Sequence, residues 1–123
     1  MKKIGLILLF CSTLVGCTQS KIHILIQQPV HENLEGSHFV IFLDENEVYN
    51  ESLHVTDVIP TYEATDAKVE KEGLKNLRVI LDDKEFNFEL NYPQDKFIIL
   101  SATYINDDAK VNITKSDKKI KTF

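Results

Sequence analysis

With 123 residues, 43% of them hydrophobic, and a net charge of −5, the chain can bury one core and is too acidic to suit a nucleic-acid backbone. Its two cysteines, Cys11 and Cys17, both lie close to the start, so the rest of the chain has no thiol nucleophile, cysteine-ligated zinc or disulfide framework.

The first seventeen residues read as an address. Lys2 and Lys3 precede an apolar run over residues 4–10 (IGLILLF), and polar Ser12 and Thr13 cut it short. A membrane span needs roughly 20 apolar residues. Charge, then a short apolar run, then a small residue is the anatomy of a secretory signal. Leu14, Val15, Gly16 and Cys17 match position by position the lipobox of bacterial lipoproteins, which this segment resembles. That resemblance implies a diacylglyceryl thioether on the Cys17 sulfur, cleavage between Gly16 and Cys17, and acylation of the new amine. The expected organisation is a signal peptide over residues 1–16, a lipidated cysteine with a short tether over 17–21, and one domain over 22–123. Losing Lys2 and Lys3 takes the net charge from −5 to −7, so the lipid rather than charge would supply the membrane attachment. One acyl chain anchors marginally, with about 0.8 kcal/mol for each buried CH2, and several chains anchor firmly. Thr18 and Gln19 lack the acidic retention signal of enteric lipoproteins, which implies an outer membrane, with the domain facing the periplasm.

Beyond the tether the pattern is β. Ile22, Ile24 and Ile26 alternate with His23, Leu25 and Gln27, and Pro29 ends the run. Residues 38–43 (HFVIFL) predict a strand, 44–47 a turn, 48–50 its return, and 53–59 (LHVTDVI) a further alternating strand. Residues 61–73 contain helix formers and end in Gly73, but Ala64, Ala67 and Val69 make no clean helical stripe. That segment predicts a loop with one edge strand, a short helix being the alternative. Residues 77–81 lead through Asp82-Asp83 into Phe86, Phe88 and Leu90, which alternate with Asn87 and Glu89. Residues 96–105 (KFIILSATYI) form the longest apolar segment, and Val111 and Ile113 alternate with polar neighbours. Many short strands separated by polar turns predict an all-β domain, a small antiparallel β-sandwich of immunoglobulin-like or transthyretin-like kind. The cadence FLDENEV, GLKNLRVILDDKEFNFEL and KFIIL resembles small envelope sandwich modules of the PEGA-like and carboxypeptidase-regulatory-like groups. Gly73, Leu77 and Val79 match their glycine leading into an L-x-V strand. The hairpin glycines usual in those modules are missing at Glu45-Asn46 and Asp82-Asp83. The likeness bears on fold, not function.

The chain contains no G-x-S-x-G elbow, no HExxH and no glycine-rich phosphate loop, so a non-enzymatic role is expected. What stands out is charge. No Lys or Arg occurs between Lys21 and Lys68, an interval that holds all four histidines and nine carboxylates. Two functional readings follow. Imidazoles and carboxylates could converge on a cation, with His31 and His38 bracketing a loop that brings Glu35 or Glu32 to them. Alternatively, the acidic half docks a basic envelope protein, with Glu45 and Glu47 as contacts. Tyr62 and Tyr92, next to Pro60 and Pro93, are expected in loops as exposed aromatic contacts, whereas Phe86 and Phe88 are expected in the core. The overall expectation is a lipid-anchored interaction or accessory module that needs no metal or other cofactor. The rival readings are a small inhibitory or protective lipoprotein and a cation-binding periplasmic one.

Overall fold

Period-two alternation becomes strand almost wherever it occurs. The computed structural model describes residues 20–56 and 61–118. Within them the elements are β1 (Lys21–Gln27), a 3-10 turn (Glu32–Leu34), β2 (His38–Leu43), β3 (Asn46–Ser52), β4 (Tyr62–Lys68), β5 (Gly73–Leu81), β6 (Lys84–Tyr92), β7 (Phe97–Ile105) and β8 (Asp108–Ser116). The signal segment, Gly16 and Cys17 lie outside the described residues.

The strands form two four-stranded sheets, ordered β4-β1-β7-β8 and β3-β2-β5-β6. They pack as the expected small all-β sandwich, because each inward face is apolar. Ile22, Ile24 and Ile26 of β1 and Ile98 and Leu100 of β7 are buried from one sheet. Phe39 and Ile41 of β2 and Leu77, Val79 and Leu81 of β5 are buried from the other, and all belong to one cluster. Burying a side chain of this size contributes about 1.5–3 kcal/mol. Phe86 and Phe88 pack against the same cluster, as their alternation predicts. One pairing departs from the antiparallel rule: β1 and β7 run parallel, with Ile24 opposite Ile98.

Hairpins join β2 to β3, β5 to β6 and β7 to β8 within a sheet, while the remaining connections cross between sheets. The missing hairpin glycines have an explanation here. Asp44 and Glu45 (φ 47° and 69°), Asp82 (56°) and Asn106 and Asp107 (52° and 60°) take the left-handed backbone themselves. Asp and Asn tolerate that conformation because their short side chains bond nearby backbone. Asp44 Oδ1 accepts from the Asn76 N–H at 2.9 Å, and Asp82 Oδ1 accepts from the His38 N–H at 2.9 Å. Each turn carboxylate thereby ties its hairpin to the neighbouring strand.

The open sides of the sandwich are stitched by side chains. On one side, the Tyr49 hydroxyl of β3 donates to Glu63 Oε2 of β4 at 2.5 Å, and Thr65 Oγ1 donates to the Val48 carbonyl at 2.9 Å. Burial, with the Glu63 carboxylate beside it, pushes the Tyr49 hydroxyl well above the usual tyrosine range. On the other side, Lys84 pairs with Asp108, and Lys115 Nζ donates to the Glu89 carbonyl at 3.2 Å.

Residues 61–73 resolve as the strand reading: β4 is an edge strand followed by a turn. Of the predicted strand over residues 53–59, the described residues 53–56 are not strand. Past Ser52 the backbone N–H groups turn to other partners: Leu53 donates to the Ser37 carbonyl, His54 to Gln28 Oε1 at 2.8 Å and Val55 to Glu35 Oε1 at 3.1 Å. Residues 57–60 lie outside the described residues.

Candidate functional site

The cation reading needs His31, His38 and Glu35 to converge, and the fold gives each a separate partner. His31 caps the 3-10 turn, its Nδ1 accepting from the Asn33 N–H at 3.1 Å, and its ring lies 4.6 Å from that of Tyr104. His38 opens β2, and its Nε2 bonds the Asn50 side chain on β3. Glu35 turns to the 54–55 backbone, taking the Val55 N–H and lying 3.3 Å from His54 Nδ1. The Val55 N–H, and after it His54, hold the Glu35 carboxyl below the usual carboxylate range. The seven-residue loop spacing cannot bring the two imidazoles together, because one leans on β7 and the other leads into β2 of the opposite sheet. Among the described residues, no group of three or more His, Cys, Asp or Glu is placed to hold a metal ion.

The expected partner contacts fare unevenly. Glu45 is answered within the molecule: it receives Arg78 Nη2 at 2.8 Å, while Arg78 Nη1 reaches Glu85 at 3.3 Å and the guanidinium lies 4.3 Å from the centre of the Phe42 ring. Asn87 and then Arg78 lower the Glu85 carboxyl in turn. Glu47 is exposed and accepts from Asn50 Nδ2 at 3.2 Å. Tyr62 is half-buried at the first position of β4, opposite Gln27, rather than in a loop. Tyr92 is a correction: it is the last residue of β6, 8% exposed and part of the core. The alternation Phe86, Phe88, Leu90 simply continues inward to it, and Pro93 follows the strand instead of breaking it earlier.

The structure also re-maps the charge asymmetry. Strands run up and down the sandwich, so both sequence halves contribute to both ends. At the end where β1 starts, Lys21, Lys68, Lys71, Lys96 and Lys118 are interleaved with Asp44, Glu70, Glu72, Asp95 and Asp117. At the far end, Glu32, Glu35, Glu51, Asp82, Asp83 and Asp107 are exposed, while Lys84 is held by Asp108 and exposed Lys110 lies two residues further along β8. His31, His38 and His54 lie at that end too, also exposed. The excess acid is therefore a polar cap and not a face spread over residues 22–67. Sequence order alone hides this, since Asp82, Asp83 and Asp107 come from the half that reads as more basic.

Comparison with protein-family models finds no match for the chain, and comparison with curated proteins finds none either.

Proposed function

We propose that this protein is a lipid-anchored bacterial envelope lipoprotein whose sandwich is a non-enzymatic interaction module, holding its acidic far end out to a basic partner protein. The observation that carries the reading is placement. Cys17, the lipobox cysteine, precedes the first strand at Lys21 by four residues. A tether that short reaches at most about 14 Å, so the end of the domain where β1 starts sits close to the headgroups. β1 has seven residues and rises about 23 Å, which carries the acidic end well clear of the bilayer. That distance exceeds the Debye length of about 8 Å at physiological salt, so the field of the acidic cap is open to a partner and not absorbed by the membrane surface. A field of one sign speeds and orients association with a basic protein.

The test is crosslinking in cells followed by pull-down, comparing the native protein with a variant carrying Glu32→Gln, Asp82→Asn, Asp83→Asn and Asp107→Asn. One dominant basic protein recovered with the native chain and lost with the variant supports the reading. Diffuse recovery, or a partner retained by the variant, overturns it.

A further inference from the structure

The outer face of the β4-β1-β7-β8 sheet is apolar along its middle. Ile22, Ile24 and Ile26 point into the core, so Lys21, His23, Leu25 and Gln27 point outward. Leu25 lies opposite Ile99 on one side and Ala64 on the other, and His23 lies opposite Phe97 and Asp66. Opposite residues share a face, so Leu25, Phe97 and Ile99 form one patch over the two central strands. All three are half-buried by their neighbours, yet none belongs to the core cluster. The His23 ring stacks on that of Phe97, with centroids 4.9 Å apart, and its Nδ1 lies 2.7 Å from Asp66 Oδ1. Ile105, 51% exposed, extends the same face at the far end.

Charge singles this face out. In a chain of net charge −5, it carries Lys21, Lys68 and Lys110 against Asp66 and Asp108, all at its ends or on its edge strands. The outer face of the other sheet also has an apolar middle, made of Val40, Phe42 and Ile80. There the Arg78 guanidinium covers the Phe42 ring at 4.3 Å. Among the described residues, Glu47, Glu85 and Glu89 share that face with Arg78 as its one basic strand residue. Two copies of that face would repel each other, and two copies of the first would not.

We propose that the outer face of the β4-β1-β7-β8 sheet binds a second copy of the chain, the two sheets packing face to face about a two-fold axis. With the axis parallel to β1 and passing between β1 and β7, each level of one sheet meets the same level of the other with the strand order reversed. Leu25 then faces the partner's Ile99, and His23 faces the partner's Phe97. Toward the edges, Asp66 meets the partner's Ser116, Ala64 the partner's Thr114 and Tyr62 the partner's Asn112. Within the strands no like charges meet, the apolar pairs fall at the centre and polar groups form the rim, as in an interface core.

The size is sufficient. Four strands of seven to nine residues, spaced about 4.8 Å apart, present about 450–570 Å² a copy, or about 900–1,100 Å² in all. A specific interface needs about 1,000 Å², so the expected dimer is a reversible one. The choice of axis rests on the anchored reading, since a two-fold across the strands would put the two Cys17 residues at opposite ends. The self-complementary face does not depend on that reading.

Sedimentation velocity on the soluble Cys17→Ala protein, over a concentration series, decides whether the dimer forms. A reversible monomer–dimer equilibrium is expected. A monomer at every concentration assigns the face to another occupant and overturns the proposal. Leu25→Thr with Ile99→Thr is expected to weaken the dimer about tenfold, equivalent to ~1.4 kcal/mol, because each substitution occurs twice in a two-fold interface. Threonine keeps strand propensity, and circular dichroism checks that the variant folds. Val40→Thr with Ile80→Thr is the matched control on the other sheet, and equal weakening by it overturns the proposal. Crosslinking in bacterial membranes then locates the contact, with a short bismaleimide acting on Ser101→Cys, on Asn76→Cys and on the parent chain as background for Cys17. Ser101 lies beside the axis and Asn76 on the other sheet's outer face. A dimer band specific to Ser101→Cys is expected, and a band equal in Asn76→Cys overturns the face. Because the sedimentation arm uses a chain without lipid, a failed anchor and a failed interface give different results.

Discussion

Replacing Tyr49 with Phe removes one oxygen and keeps the ring in place. The ring is 9% exposed and lies edge-on to Phe39, with centroids 6.3 Å apart, so core packing should survive. What is lost is the hydroxyl that donates to Glu63 Oε2 and ties the β3 edge of one sheet to the β4 edge of the other. A hydrogen bond to a charged group contributes about 1.5–3 kcal/mol. Glu63 is half-buried, so part of its carboxylate can turn to water, and the lower part of that range, about 1.5–2 kcal/mol, is expected. For a domain near 100 residues each kcal/mol moves the melting temperature by about 4–8 °C, which predicts a fall of about 6–16 °C by calorimetry. The pH dependence gives an independent check. The folded-state pKa of Tyr49 is raised, so its contribution is fully present below the unfolded tyrosine pKa of about 10 and is lost as pH rises through the folded value. Tyr49→Phe should therefore flatten the alkaline limb of the stability curve relative to the native protein. A double-mutant cycle with Glu63→Gln isolates the pair. A loss under about 0.5 kcal/mol, within the range of ordinary surface substitutions, or strict additivity in the cycle, would refute the stitch.

Three further outcomes are expected. Ile24→Ala, at a fully buried position of the central strand β1, should cost about 2–5 kcal/mol in chemical denaturation. Asp107→Gly should leave stability unchanged or raise it by up to about 1 kcal/mol, because Asp107 holds φ at 60° and glycine adopts that backbone without a Cβ clash; a clear loss of stability would contradict the turn geometry. The Glu35 carboxyl is lowered by the Val55 N–H and His54, so its contribution is present above the unfolded pKa and disappears as pH falls through the folded one. Glu35→Gln should therefore lower stability slightly at neutral pH and converge with the native protein at acid pH, flattening the acid limb of the stability curve in acid denaturation.

Much of the fold was legible because strand alternation is local. Ile22, Ile24 and Ile26, or Phe86, Phe88 and Leu90, declare their inward face without reference to any partner. The edge strand within residues 61–73 was readable on a different ground, since Ala64, Ala67 and Val69 make no helical stripe. Partner choice is not local. Nothing in KIHILIQ specifies that β1 pairs parallel with FIILSATYI, since that depends on how the crossing connections place the two strands. The end of β3 at Ser52 was hidden because LHVTDVI alternates well, yet the N–H groups of Leu53, His54 and Val55 are taken by Ser37, Gln28 and Glu35. Tyr92 shows the converse error: a neighbouring proline suggested a loop, while the inward register of β6 ran one step further. For the candidate sites, sequence spacing placed His31 near His38 but could not show that their rings leave in different directions. It also could not show that Arg78, distant in sequence, neutralises Glu45. The acidic cap is assembled from several strand ends, and its pattern exists only once the registers are set.

The central claim is that this sandwich stands on a lipidated Cys17. Its most direct test is mass spectrometry of the N-terminal peptide of the protein purified from bacterial membranes, beside the Cys17→Ala variant. The account predicts a native chain that begins at Cys17 and carries a diacylglyceryl thioether with an acylated amine, and a variant without lipid that leaves the membrane fraction. A native chain with an unmodified Cys17, or a Cys17→Ala variant that keeps its lipid and its membrane retention, would contradict it.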